Sequence, residues 1–175
     1  MTGNEAESRT DTTEFRSPRL EDGADVHRLI RATAPLDVNS LYCYLIICDH
    51  YTDTSIVALH EGRVVGFISA YALPKRPDTL FIWQVAVDST MRRRGLAVKM
   101  AEGILERESA AAVRYIETTV SPSNTASSRF FETLASRLDT AIARETYITE
   151  SMFGGEHHEA ETLYRIGPFQ ASKRA

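Results

Sequence analysis

The sequence predicts an α/β fold of the α+β kind, built on a mixed sheet with helices on both faces. Three observations carry this. The run "SIVALHEGRVVGFISAYAL" sets two β-rich stretches around Glu61-Gly62, a tight-turn dipeptide, so part of the sheet is an antiparallel hairpin. Beyond residue 79, apolar strands alternate with segments of helical period. The whole order reads β-α-α-β-β-β-α-β-α-β-β, and because only its second half alternates, a fully parallel sheet is excluded.

Residues 1–13, "MTGNEAESRTDTT", are polar and poor in large apolar side chains, and read as a disordered tail. One domain is expected over 14–167, with 168–175 as a C-terminal tail. "EFRSPRLEDGADVHRLIRATAP" reads as a short strand and then a helix. Asp22 stands at its N-cap, Val26, Leu29, Ile30 and Thr33 form its apolar face, and Pro35 stops it. Leu41 to His50 is a second helix. After the hairpin, Pro74 and Pro77 break the pattern before the strand "TLFIWQVAVD". A helix with Leu96, Met100, Ile104 and Leu105 on one face follows. "VRYIETTV" is the next strand, and the helix after it places Ala126, Phe130, Phe131 and Leu134 inward. "ETYITESMF" and "ETLYRIG" close the sheet.

A chain of 175 residues with 43% hydrophobic and 25% charged residues suits one soluble domain with one substantial core. The net charge of −4 argues against a general nucleic-acid-binding surface. No apolar run approaches the roughly 20 residues that span a bilayer. The N-terminus lacks the apolar core of a secretory signal, so a cytoplasmic protein is expected. Cys43 and Cys48 lack the spacing of a zinc site and read as buried free thiols; no metal is expected.

Against that acidic background, "VAVDSTMRRRGLAVKMAEGIL" collects Arg92, Arg93 and Arg94 at one strand-to-helix turn. Unpaired N–H groups and the dipole at a helix N-terminus favour an anion. Gly95 admits a close backbone approach, Leu96 and Ala97 keep the path narrow, and arginine forks fit phosphate oxygens. The pattern has neither the Gly-Lys-Ser/Thr of a P-loop nor the three glycines of a dinucleotide fingerprint.

"RRRGLA" at 92–97 resembles the R/Q-x-x-G-x-G/A signature of the GNAT acyltransferase superfamily. The resemblance implies a GNAT-type, mostly antiparallel central sheet and a turn that carries the pyrophosphate of acetyl-CoA. It further implies that Val85, Ala86 and Val87 pair with the pantetheine arm and that Asn124 contacts it. Position 131, where many members place a tyrosine that protonates the leaving thiolate, is Phe131. Four stretches resemble a narrower family, the L-2,4-diaminobutyrate acetyltransferases of ectoine biosynthesis: "APLDVNSLYCYLIICDHY", "FIWQVAVDSTMRRRGLA", "TVSPSNTASSRFF" and "EHHEAETLYRIG". The implied reaction is acetyl transfer to the 4-amino group of 2,4-diaminobutyrate, in an enzyme that is commonly a dimer and serves osmotic protection.

A small zwitterionic diamine needs carboxylates for its amines and polar donors for its own carboxylate. Asp37 is expected to fix an ammonium, with Asn39, Ser40 and Tyr42 on the same loop and helix start. The plain alternative for Asp37 and Ser40 is a helix cap, and for Tyr42 core packing. Trp83 is either a sheet anchor or an aromatic wall beside the cation. In "EHHEAE" at 156–161, His158, Glu159 and Glu161 order the amine or accept its proton; a solvated charged loop is the plain alternative. An alkylammonium is almost fully charged at neutral pH and must lose a proton before it attacks. Asp37, Glu159 and Glu161 are therefore the candidate catalytic carboxylates, and strand amides near 85–87 the candidates to polarise the thioester carbonyl. Neither cysteine has an evident activating base, so direct transfer in a ternary complex is expected. Two alternatives stand beside this reading: a GNAT enzyme for another small amine, and a non-catalytic acyl-CoA-binding regulator.

Overall fold

Glu61 (φ 50°) and Gly62 (φ 75°) both take left-handed backbone, which matches the twist of two antiparallel strands and closes the predicted hairpin. The computed structural model describes residues 12–154 and 158–170. Its elements are β1 (Thr13–Arg16), α1 (Gly23–Arg31), α2 (Leu41–His50), β2 (Ile56–His60), β3 (Arg63–Leu73), β4 (Arg76–Val87), α3 (Leu96–Leu105), β5 (Tyr115–Val120), α4 (Thr125–Arg137), β6 (Ile142–Ile148) and β7 (Glu161–Ile166). The order is the one the sequence predicts.

The strands form one sheet in the order β1-β2-β3-β4-β5-β7-β6. Every pairing is antiparallel except β4 with β5, so the sheet is mixed and mostly antiparallel. Val26, Leu29 and Ile30 of α1 and Tyr44, Ile47 and Cys48 of α2 bury against Val57, Phe67 and Ala86 on one face. On the other, Leu96, Met100 and Ile104 of α3 and Phe131 and Leu134 of α4 pack on Ile56, Ile68, Leu80, Ile82 and Ile116.

Several local expectations are corrected. Asp22 precedes α1, but its side chain makes no cap; it takes two hydrogen bonds from Arg16, at 2.7 and 2.9 Å, and one from the Arg19 amide. Burial opposes ionisation of Asp22, yet these bonds outweigh it and hold its carboxyl below the ordinary 3.8. Pro77 lies inside β4, near the start of the strand and before its pairing with β5 begins at Thr79. Ala126 is exposed, because the first turn of α4 projects beyond the core. The run expected as a strand at 145–153 becomes β6 only to Ile148 and then a short 3-10 turn. At the expected boundaries, β1 begins at Thr13, and Phe169 is buried in the α3–α4 core with its amide bonded to the Arg114 carbonyl. The packed chain thus runs two residues past 167. Residues 1–11 and 171–175, expected as tails, lie outside the described residues.

Two irregularities in the sheet position the site. β4 and β5 pair only at Thr79, Leu80 and Phe81 with Tyr115, Ile116 and Glu117, and beyond that point they part. Glu117, buried between Arg76 and Arg165, clamps β4, β5 and β7 together where the parting starts. In the pairing with β3, Ser69 faces Gln84 while Ala70 faces Ile82, so Trp83 is an extra residue, a β-bulge. The bulge reverses the strand's faces. Leu80 and Ile82 point to the α3–α4 core, whereas beyond it Val85 and Val87 take that side and Ala86 joins the α1–α2 core.

Candidate active site

Where β4 and β5 part, a cleft of about 240 Å³ opens. β4 lines it with Ile82, Trp83, Gln84 and Val85, and β5 with Thr118 and Thr119. Ser121, Asn124, Ser127 and Phe131 close it from the turn and helix after β5. The loop between α1 and α2 adds Pro35, Leu36, Asp37 and Asn39, and the segment before β7 adds His158 and Glu161. The volume lies below the usual range for drug-sized ligands and suits a small metabolite.

Asp37 and His158 meet across the mouth, 121 residues apart in sequence, with His158 Nε2 3.3 Å from Asp37 Oδ2. The other ring nitrogen lies 2.7 Å from the Glu159 carbonyl oxygen. That carbonyl bond holds the imidazole above its ordinary 6.5; burial opposes it and Asp37 adds to it. An imidazolium, with a proton on each nitrogen, satisfies both oxygens. The ring also stacks on Phe153 at 3.9 Å. Burial pushes the Glu161 carboxyl above 4.5, partly offset by a hydrogen bond from Thr119 and the charge of His158. Such a carboxylate binds a proton more readily than a solvated one, which suits a general base.

The expected acceptor residues divide. Asp37, Asn39, Trp83, His158 and Glu161 come together on the cleft. Ser40 does not: its Oγ accepts the Cys43 amide at 3.2 Å and caps α2. Tyr42 is 71% exposed and does not line the cleft. Glu159 turns its carboxylate to the Ser123 amide, at 3.0 Å, and ties the segment before β7 to the turn before α4. Glu156 and His157 lie outside the described residues. Trp83 is 46% exposed at the bulge, so it is not a buried sheet anchor.

Sequence reasoning missed Gln84, Thr118, Thr119, Ser121 and Ser127. Strand period alone places Gln84 with Leu80 and Ile82, and no local signal announces the bulge that turns it. Among the described residues, no group of three or more His, Cys, Asp or Glu is placed to hold a metal ion. Burial pushes the Cys48 thiol up to about 12 and raises Cys43 as well, so neither supplies a thiolate near neutral pH.

Of the expected cofactor residues, Val85, Asn124 and Phe131 line the cleft, and Ala86, Val87 and residues 92–97 do not. Val85 lines the cleft, and Val85 and Val87 rest against the α3–α4 core, whereas the side chain of Ala86 is fully buried on the opposite face and offers only its backbone. Arg93 (φ 61°) and Gly95 (φ 72°) are both left-handed, and the turn they make opens α3 with no side-chain cap. The first-turn amides of α3 are therefore left without a capping side chain, an arrangement that can receive an anion, with Arg92, Arg93 and Arg94 exposed around them. Leu96 is buried beneath the turn and Ala97 only partly exposed. Asn124 caps α4 through its Oδ1, 3.1 Å from the Ser127 amide, which leaves its NH2 group as donor. Phe131 is buried at the cleft wall, its ring tilted against Phe130.

Residues 24–135 match the acetyltransferase (GNAT) family. The chain is 48% identical over 156 residues to the L-2,4-diaminobutyric acid acetyltransferase of Bordetella parapertussis, covering 89% of this chain and 84% of that one. It is also 48% identical over 153 residues to the enzyme of the same name from Virgibacillus pantothenticus, covering 87% and 96%. Among solved structures, the diaminobutyrate acetyltransferase of Paenibacillus lautus, in complex with its substrate L-2,4-diaminobutyric acid and coenzyme A, superposes with a TM-score of 0.88. That pair is 44% identical, covering 94% of this chain and all of the other. The ribosomal-protein-S18-alanine N-acetyltransferase of Escherichia coli, 15% identical with a TM-score of 0.63 over 94% of this chain and 99% of that one, shares the fold alone. With its sheet parted beside an uncapped helix turn, and with these relatives, the chain belongs to the L-2,4-diaminobutyric acid acetyltransferases of the GNAT family.

Proposed function

We propose that the protein transfers the acetyl group of acetyl-CoA to the 4-amino group of L-2,4-diaminobutyrate, directly and within a ternary complex. The observation that carries this reading is the cleft itself, where Glu161 and the Asp37–His158 pair share a small cavity between parted strands. The pyrophosphate of acetyl-CoA binds the amides at the start of α3 and the arginines of the turn. The pantetheine arm runs along the backbone of residues 85–87 and past Asn124 and Phe131, and a β4 amide polarises the thioester carbonyl.

Diaminobutyrate enters with both amines protonated. Asp37 draws one ammonium, Trp83 covers the methylenes, and Asn39 is a donor for the carboxylate. Glu161 takes the proton from the 4-ammonium, the freed nitrogen attacks the thioester carbon, and the C–S bond breaks to leave coenzyme A thiolate. The proton shed by the amine neutralises that thiolate, so no hydroxyl at position 131 is required. The high thiol pKa values of Cys43 and Cys48 support a route without an acyl-enzyme. Ser40, Tyr42 and Glu159 act outside the cleft in this reading. We propose further that the enzyme works in the cytoplasm as a homodimer. Tyr147, 54% exposed on β6, and Met152, 68% exposed beyond it, support an associating surface there. Among the described residues no helix is long and apolar enough to cross a membrane.

Thiol release from acetyl-CoA in the presence of diaminobutyrate, ornithine or lysine tests the substrate, and NMR of the product locates the acetyl group. Rapid turnover of diaminobutyrate alone, giving the 4-N-acetyl product, is expected. Equal turnover of the longer diamines overturns the substrate assignment. Acetyl-CoA binding without turnover of any amine points to the regulator.

A further inference from the structure

Gln84 is 5% exposed, yet it lines the acceptor cleft. Its main-chain N–H donates to Ser69 Oγ at 3.1 Å, which secures the bulge. Its side-chain Nε2 donates to the Asp37 carbonyl oxygen at 2.8 Å, across 47 residues of sequence. Its Oε1 is buried and has no hydrogen-bond partner among the described residues. A buried amide that satisfies only its donor half costs stability relative to an apolar side chain of the same shape, which marks the donor as the group this position supplies.

What the donor holds is the loop that carries Asp37. Within that loop, the Leu36 amide bonds back to Thr33 and the Asn39 amide to the Tyr44 hydroxyl. Among the described residues, the Gln84 bond is the hydrogen bond that ties residues 34–38 to the sheet, beside the packing of the Leu36 side chain against the α1–α2 core. Asp37 itself is exposed, and its carboxylate contact to His158 is long at 3.3 Å. The position of that carboxylate is therefore set through its main chain. Only an uncharged side chain with a terminal N–H of this length fits: glutamate presents an oxygen to the Asp37 carbonyl, and methionine has no donor.

We propose that Gln84 is the positioning residue that sets acceptor selectivity, by fastening the Asp37 main chain to the bulge of β4. The distance from the Asp37 carboxylate to the β4 amides then fixes the length of diamine whose far nitrogen meets the thioester. This inference rests on the diaminobutyrate reading given above.

Q84M and Q84E test it in the full-length protein. Wild-type turnover decides the substrate reading by itself. For the variants, the KM for diaminobutyrate is expected to rise about tenfold, with a smaller change in kcat. The preference for diaminobutyrate over ornithine should shrink by a similar factor, and the acetyl-CoA Kd should stay within about twofold. Hydrogen exchange of the amides at 36–39 should speed up in both variants while the amides of α3 keep their protection. This readout holds even if wild type acetylates some other amine. Unchanged exchange at 36–39 overturns the clamp. An equal loss for diaminobutyrate and ornithine, with a lowered Tm, overturns the selectivity role and leaves Gln84 as packing.

Discussion

The arginine turn and the cleft, the two working regions proposed for this molecule, are built on opposite principles. The turn is local: Arg92 to Ala97 are contiguous, and their chemistry is backbone amides, a helix dipole and positive charge. The cleft is assembled from the α1–α2 loop, two parting strands, the start of α4 and the segment before β7. Its ionisable groups reach across the chain, as Asp37 and His158 do. A contiguous site tolerates changes elsewhere in the fold, whereas an assembled one depends on every element that delivers a side chain.

The largest expected effect lies in the cleft. E161Q should lower kcat/KM for diaminobutyrate by about 10²- to 10⁴-fold, the usual contribution of a positioned base, with acetyl-CoA affinity unchanged by calorimetry. In wild type, kcat/KM should fall as pH drops through the raised Glu161 pKa, above the ordinary 4.5, and E161Q should lose that limb. Stability runs the opposite way. A carboxyl raised in the folded state favours folding below 4.5 and loses that contribution as pH rises through its folded value, so pH-dependent melting should flatten in E161Q.

A smaller effect, confined to the other region, follows from R92A/R93A/R94A. These arginines are exposed and their phosphate contacts are screened by solvent, so acetyl-CoA should bind about tenfold more weakly, and the wild type's advantage should shrink as salt is raised. The diaminobutyrate KM at saturating acetyl-CoA should hold. A parallel rise in both constants breaks the separation between local and assembled sites.

The smallest effect sharpens the comparison at Ser40, which the sequence places beside Asp37 and the structure places at the cap of α2. S40A should cost about 1 kcal/mol of stability, measured by denaturant melting, and leave the diamine KM unchanged. A raised KM with unchanged stability returns Ser40 to the acceptor site.

Legibility followed the same division. Every regular strand and helix was readable in order, because the periods of 2 and 3.6, the Glu61-Gly62 turn and the glycine before α3 are local signals. Asn124 entered through the family resemblance, and its cap of α4 is a finding of the structure. Ser40, Tyr42 and Glu159 were drawn into the site by nearness in sequence to Asp37 and Glu161. In the fold, capping, exposure and a bond to Ser123 take them elsewhere. Gln84 went unread because its direction depends on Trp83 being an extra residue against β3.

By itself the sequence determined the element order, the arginine turn before α3, the family and the carboxylates and imidazole available for acid–base work, since each is written in contiguous residues or in residue type. Only the tertiary structure decided which of those side chains share a cleft, that the cleft opens where β4 leaves β5, and that Gln84 holds the loop of Asp37. Those outcomes depend on register and on contacts between segments far apart in the chain, and no local period or spacing encodes a distance across a sheet.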